Sequence, residues 1–144
     1  MSTIQEVLDR KGGSIITVSS DTSVLEAIGT MSKANIGAVV VEQGGKAAGI
    51  FTERDYLRKI ALEGRSSSDT PIAEVMSSPL ITVGPAESTR EAMETMTECR
   101  CRHLVVNNEE EMVGIVSLGD LVKHLLIEAE AEVQQLSGYI AGSY

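Results

Sequence analysis

Residues 49–55 read Gly-Ile-Phe-Thr-Glu-Arg-Asp, and residues 114–120 read Gly-Ile-Val-Ser-Leu-Gly-Asp, 65 positions later. Each is a glycine, two apolar residues, a hydroxyl residue, two variable positions and an aspartate. An apolar run that meets Ser/Thr-x-x-Asp predicts a strand running into a helix. There the hydroxyl and the carboxylate each satisfy an open backbone N–H in a capping box. Taken once, the motif needs no ligand, because caps are preferred at any helix start. Its recurrence says more. At the same 65-residue offset, Ile16 to Lys59 lies over Ile81 to His124 without a gap, with 13 of 44 positions identical. The match resumes upstream with a three-residue shift, Ile4 to Leu8 lying over Ile72 to Met76. Two copies are too few for a solenoid. A pair can instead bury each other's apolar faces as one two-fold module.

Each copy predicts the order β-α-β-β-α, an α/β (α+β) fold of two pseudo-symmetric repeats. The first strand is Ile15 to Val18 or Leu80 to Val83. Ser23-x-x-Glu26 and Ser88-x-x-Glu91 are capping-box starts for the first helix, and Val24, Ala27, Ile28 and Met31 follow at helical spacing. Strands over Ala38 to Val41 and Ala48 to Thr52 flank a Gly44-Gly45 turn, with counterparts over His103 to Val106 and Val113 to Ser117. A second helix starts near Glu53, carrying Leu57 and Ile60, or near Leu118. The predicted partition is 1–64 for the first repeat, 65–72 for a polar linker, 73–127 for the second repeat and 128–144 for a helical tail. Leu125, Ala129, Val133, Leu136 and Ile140 give that tail an apolar stripe, for its own module or for a second subunit.

The chain has 144 residues, 42% hydrophobic, with only 3% aromatic and no Trp. The core is therefore built from Val, Ile, Leu, Met and Ala, and base-stacking platforms are not expected. A net charge of −9 repels polyanions, which argues against a nucleic-acid partner. The N-terminus lacks a signal-type apolar run, and no stretch is long enough for a membrane helix. With two cysteines one residue apart, the expectation is a cytoplasmic protein with reduced thiols and no membrane partner.

The tandem unit, Thr-Val before the first helix, and the doubled Gly-Ile-(Phe/Val)-(Thr/Ser)-x-x-Asp together resemble the cystathionine β-synthase (CBS) domain family. The form is a tandem pair, also called a Bateman module, over about Ile4 to Ala129. Gly64-Arg65-Ser66-Ser67, Arg102-His103-Leu104-Val105-Val106 and the ending Tyr139-Ile140-x-Gly142 are similar to small bacterial and organellar CBS-pair proteins. The resemblance implies two adenosine-type ligand pockets between the repeats, with a ribose held by the aspartate. One would pair Ile50, Thr52 and Asp55 with Ile81, Cys101 and Arg102. The other would pair Ile115, Ser117 and Asp120 with Ile16, Ile36 and Gly37. Arg54, Arg102 and His103 stand near the first, whereas Gly119, Gly37 and Ala38 hold the matching places in the second. The first is thus expected to favour a phosphorylated ligand. AMP comes first, then ATP, ADP or NAD(H), with no required cofactor and no catalytic residue. The implied role is a homodimeric sensor that acts on an effector protein in trans. A scaffold with vestigial sites stays open, as does an enzyme acting on a nucleotide.

Cys99-x-Cys101-x-His103 puts three potential metal ligands on alternating positions, but the spacing matches no usual zinc motif, and no metal site is expected. A redox role for either cysteine stays open. Asp55 and Asp120 in symmetric copies argue against an acid and base pair, which needs unlike surroundings.

Overall fold

The computed structural model describes residues 2–12 and 15–142, with side chains to residue 138. The chain forms two compact units, Ser14–Thr82 and Met1–Gly13 with Val83–Tyr144. The first helix, α1 (Ile4–Lys11), precedes the first repeat in sequence but belongs to the unit of the second.

In the Ser14–Thr82 unit, β1 (Thr17–Ser19) lies parallel to β2 (Ala38–Gln43), which pairs antiparallel with β3 (Lys46–Thr52). As the middle strand, β2 is buried from Ala38 to Val41, which explains its unbroken apolar run. Gly44 and Gly45, at φ 60° and 78°, make the two-residue turn that matches the twist of the hairpin. Helix α2 (Val24–Ala34) lays Val24, Ala27 and Met31 on a core of Val39, Val41, Phe51, Ile60, Ile72 and Val75. The other unit repeats the plan: β4 (Thr82–Val83), α4 (Thr89–Cys99), β5 (His103–Asn108) and β6 (Glu111–Ser117), in sheet order β4-β5-β6. Both hairpins bulge at the equivalent place, Val41/Glu42 and Val106/Asn107. Both first helices end on a left-handed residue, Asn35 and Arg100.

The three-residue shift upstream has a structural meaning. Ile4 N donates to Glu87 O, Gln5 N to Pro85 O, and Thr89 N to Ser2 O. Ile72 N donates to Thr22 O, Ala73 N to Ser20 O, and Val24 N to Thr70 O. These are the same three bonds, so α1 and the 3₁₀ turn Ile72–Glu74 hold equivalent places, each in its own unit. The expected linker is correspondingly pinned: Thr70 is buried, and Leu25 N donates to Ser67 O, so open donors at the start of α2 are satisfied.

Three expectations are corrected. The first strands begin at Thr17 and Thr82, two residues later than their apolar runs; Ile16 packs on the core just ahead of the first paired residue, because apolar sequence reports burial rather than pairing. Ser23 and Ser88 cap their helices, but exposed Glu26 and Glu91 return no bond. The helix after β3 has one α-turn, α3 (Glu53–Asp55), and then a π-helical stretch over Tyr56–Ala61. Its wider turn, with Leu62 N on Leu57 O, buries Ile60 and leaves Leu57 60% exposed. In the second repeat the tail continues the last helix, as expected, in one element, α5 (Leu118–Gly142). Leu125 is half-buried, while Val122 and Leu126 are exposed with Val133 and Leu136. The side chain of Ile140 lies outside the described residues.

Candidate functional site

Both Ser/Thr-x-x-Asp boxes form where the sequence puts them. At the end of β3, Asp55 N donates to Thr52 Oγ1 at 3.1 Å, and Thr52 N donates back to Asp55 Oδ2 at 3.0 Å. At the end of β6, Asp120 N donates to Ser117 Oγ at 3.0 Å, and Ser117 N to Asp120 Oδ2 at 2.9 Å. The backbone before each middle strand closes the turn: Glu53 N donates to Gly37 O, and Leu118 N to Arg102 O.

The two carboxylates differ in their remaining partners. Asp55 is 7% exposed. Its Oδ2 also accepts from Thr52 Oγ1, and its Oδ1 accepts from Ser77 Oγ at 2.9 Å and faces Lys59 Nζ at 3.2 Å. Four acceptor positions are thus filled, as a buried carboxylate requires. A sugar diol that binds this carboxylate has to displace one of its side-chain donors, Thr52, Ser77 or Lys59. Asp120 is more open. Lys11 Nζ, at the end of α1, sits 2.8 Å from its Oδ2 and donates also to Ile115 O at 2.9 Å. Burial alone would push the Asp120 carboxyl up; the Lys11 contact and the Ser117 N–H outweigh it and hold the group below the ordinary 3.8.

Lys59 and His124 are the repeat-equivalent positions, four residues after each aspartate. Lys59 turns to its aspartate. His124 is buried, accepts at Nδ1 from Arg10 Nε at 3.1 Å, and places Nε2 2.8 Å from Glu128 Oε1. Lys11 therefore supplies to Asp120 the cation that His124 does not. The Asp55–Lys59 pair had a readable signal, acid four residues before base on a helix. Lys11 and Ser77 had none, because they arrive from other elements.

Within the Ser14–Thr82 unit, Ile16 and Ile36 pack on the core, Gly37 bonds the start of α3, and Ile50 bridges to Ser77. Ile81 is half-buried and Arg54 exposed, with an interaction of its own. In the other unit, His103 pairs with Ser117 across the hairpin, next to exposed Arg102 and half-buried Cys101 and Ile115. Sequence reasoning assigns Arg102 and His103 to one pocket and Ser117 to the other; here all three line one open groove with Leu118, Gly119, Val122, Lys123, Leu126, Ile127 and Glu130. Arg102 stands at its end by the N-terminus of α5, an arrangement that suits an anion; Val122, Leu126 and Ile127 line the rest together with Lys123 and Glu130. Burial, then neighbouring Cys99, pushes the Cys101 thiol up, so it stays protonated. Among the described residues no three metal-ligating side chains gather, and no helix is long and apolar enough to cross a membrane.

Two β-α-β-β-α units, each with a capped aspartate where its last strand meets a helix, define a tandem ligand-module architecture. The CBS-domain family model matches residues 4–62 and 72–127, and the chain belongs to that family as a CBS pair, a regulatory and ligand-binding class. It is 41% identical to the mitochondrial CBS domain-containing protein CBSX3 of Arabidopsis thaliana, over 99% of this chain and 74% of that protein. It is 32% identical to the CBS domain-containing protein YhcV of Bacillus subtilis, over 99% and 92% respectively. A solved protein with CBS domains from Burkholderia ambifaria superposes with a TM-score of 0.84 at 41% identity, covering 88% of this chain and 95% of that one.

Proposed function

We propose that this chain is a non-catalytic cytoplasmic sensor that binds an adenine nucleotide, AMP before ATP, ADP or NAD(H), and modulates a partner protein in trans. The observation that carries this reading is the capped aspartate repeated in both units. Asp55 with Thr52 and Ile50, and Asp120 with Ser117 and Ile115, are the proposed sugar-binding sets. Arg102 and His103 are the proposed phosphate contacts, and Ile16, Ile36, Gly37, Ile81, Cys101 and Arg54 the remaining lining. A carboxylate that accepts from a diol holds a ribose, and an arginine fork holds a phosphate bidentately.

The test is calorimetry and thermal shift with AMP, ADP, ATP, NAD(H) and S-adenosylmethionine. Ligand at about a hundred times its Kd stabilises the fold by about 2.7 kcal/mol, so the melting temperature rises. Asp55→Asn and Asp120→Asn retain an acceptor for the cap and test the charge separately from the fold. Each weakens binding at its own site by about tenfold or more, and Arg102→Ala weakens the phosphate-bearing ligands selectively. Unchanged melting with every adenosine compound sinks the reading. A scaffold role is the second reading, favoured by the filled acceptor positions of Asp55. Turnover of any nucleotide by the pure protein would instead make it an enzyme.

A further inference from the structure

We propose that Cys99 and Cys101 are a reversible dithiol that closes to a disulfide by exchange with a low-molecular-weight disulfide, Cys99 attacking and Cys101 resolving. Both cysteines are free thiols, Cys99 exposed and Cys101 half-buried. They bracket Arg100, which caps α4 in the left-handed conformation at φ 55° and ψ 41°. The turn folds the chain back, with Cys101 N donating to Met96 O at 3.0 Å. It brings the Cys101 sulfur within hydrogen-bond reach of the Cys99 thiol and of the His103 N–H. The fold does not call for sulfur here. In the other repeat Asn35 makes the same left-handed turn at φ 54°, between Ala34 and Ile36.

Exposure assigns the order of events. The thiolate is the nucleophile. The exposed sulfur of Cys99 meets a soluble disulfide first, while the half-buried Cys101 thiol stays protonated. Exposed Arg100 and Arg102 flank the pair against Glu98 alone, which favours a disulfide that carries carboxylates. Cys99 loses its proton to solvent and attacks one sulfur of that disulfide. The S–S bond breaks, a mixed disulfide forms on Cys99, and the first small thiolate leaves with the electron pair and takes up a proton. Cys101 then gives its proton to solvent and attacks the Cys99 sulfur. The mixed disulfide breaks, the Cys99–Cys101 bond forms, and the second small thiolate leaves and is protonated. Two cysteine thiols are oxidised, one disulfide is reduced to two thiols, and the protons balance. A ring closed across one intervening residue is strained, and a strained disulfide is readily reduced, so the pair is a switch rather than a staple. Its state reaches the open groove, because the bridge ties the residue before Arg102 and His103, which line that groove, to the end of α4.

The experiment equilibrates the full chain in buffers of stepped ratio of oxidised to reduced glutathione, traps free thiols by alkylation and reads the intact mass. The parent should lose two hydrogens as the oxidised share rises and regain them when reduced glutathione is restored. Cys101→Ser should stop at the mixed disulfide on Cys99, seen as one bound glutathione. Cys99→Ser should take up glutathione at least about tenfold more slowly. Circular dichroism shows that each variant is folded. The chain's two histidines are the probes for the groove: ring-proton NMR should show His103 moving on closure and His124 staying. A parent that keeps its hydrogens in oxidised buffer, that retains glutathione on Cys99 without closing, or that links two chains instead overturns the proposal. Cys99→Ser reacting as fast as Cys101→Ser overturns the order of attack, and an unmoved His103 overturns the link to the groove.

Discussion

A single residue type, aspartate in a capping box, takes two electrostatic forms here. Asp55 is enclosed by Thr52, Ser77 and Lys59, whereas Asp120 is half-buried and held by Lys11 from another element. The sequence showed both aspartates and both hydroxyl caps, because those bonds span three residues. Of the cations it carried a signal for Lys59 alone, because the copies differ there: where Lys59 stands in one, His124 stands in the other and turns to Arg10 and Glu128. This difference has a pH signature. The folded-state pKa of Asp120 lies below its ordinary 3.8, so its contribution is complete above that value and disappears as pH falls through the folded pKa. Lys11→Met keeps the apolar stem and removes the charge. It should raise the pKa of Asp120 seen by carboxyl NMR titration. It should also cost about 0.5–1 kcal/mol in urea unfolding at neutral pH, an increment that shrinks in acid. An unmoved Asp120 titration would show that Lys11 does not hold it.

Among the elements, the segments preceding each repeat are the least obvious and the best tested by glycine. The shifted alignment of Ile4 to Leu8 with Ile72 to Met76 was legible, and the structure gives both stretches the same bonds. Less legible was that one becomes a two-turn helix and the other a single 3₁₀ turn, since this depends on packing against elements distant in sequence. Both press on the repeated glycine of the last strand. A Cβ on Gly114 would lie 2.7 Å from Leu8 Cδ2, the end of a side chain that can turn aside. A Cβ on Gly49 would lie 2.6 Å from Met76 Sδ and 2.9 Å from Ser77 O. That carbonyl accepts from Ile50 N at 3.0 Å while Ser77 N donates to Ile50 O at 2.8 Å, so the backbone is fixed. Gly49→Ala should therefore cost about 2–3 kcal/mol and Gly114→Ala about 1 kcal/mol or less in chemical denaturation. The reverse order would mean that the 3₁₀ segment yields more easily than α1.

At the scale of the whole molecule, α5 is helical to Gly142 although every described side chain from Ala129 to Gly138 is exposed. Periodicity foretold a helix with an apolar stripe, but left its partner open, because spacing defines a face and not what covers it. Leu125 illustrates the ambiguity: by spacing it begins the stripe, and in the structure it is half-buried while Leu126 takes the exposed face. If a second copy covers that exposed face, order and assembly vary together. Dilution from about 100 µM to below about 1 µM crosses a micromolar dissociation constant. Over that range the far-ultraviolet helical signal should fall, with the same midpoint that sedimentation gives for the dimer. A chain ending at Glu128 should show no such loss, and at high dilution it should melt where the full chain does, since every described side chain removed, Ala129 to Gly138, is exposed. Helicity that persists in a monomeric full chain would mean that the tail is ordered by its own propensity, and the association would then need another cause.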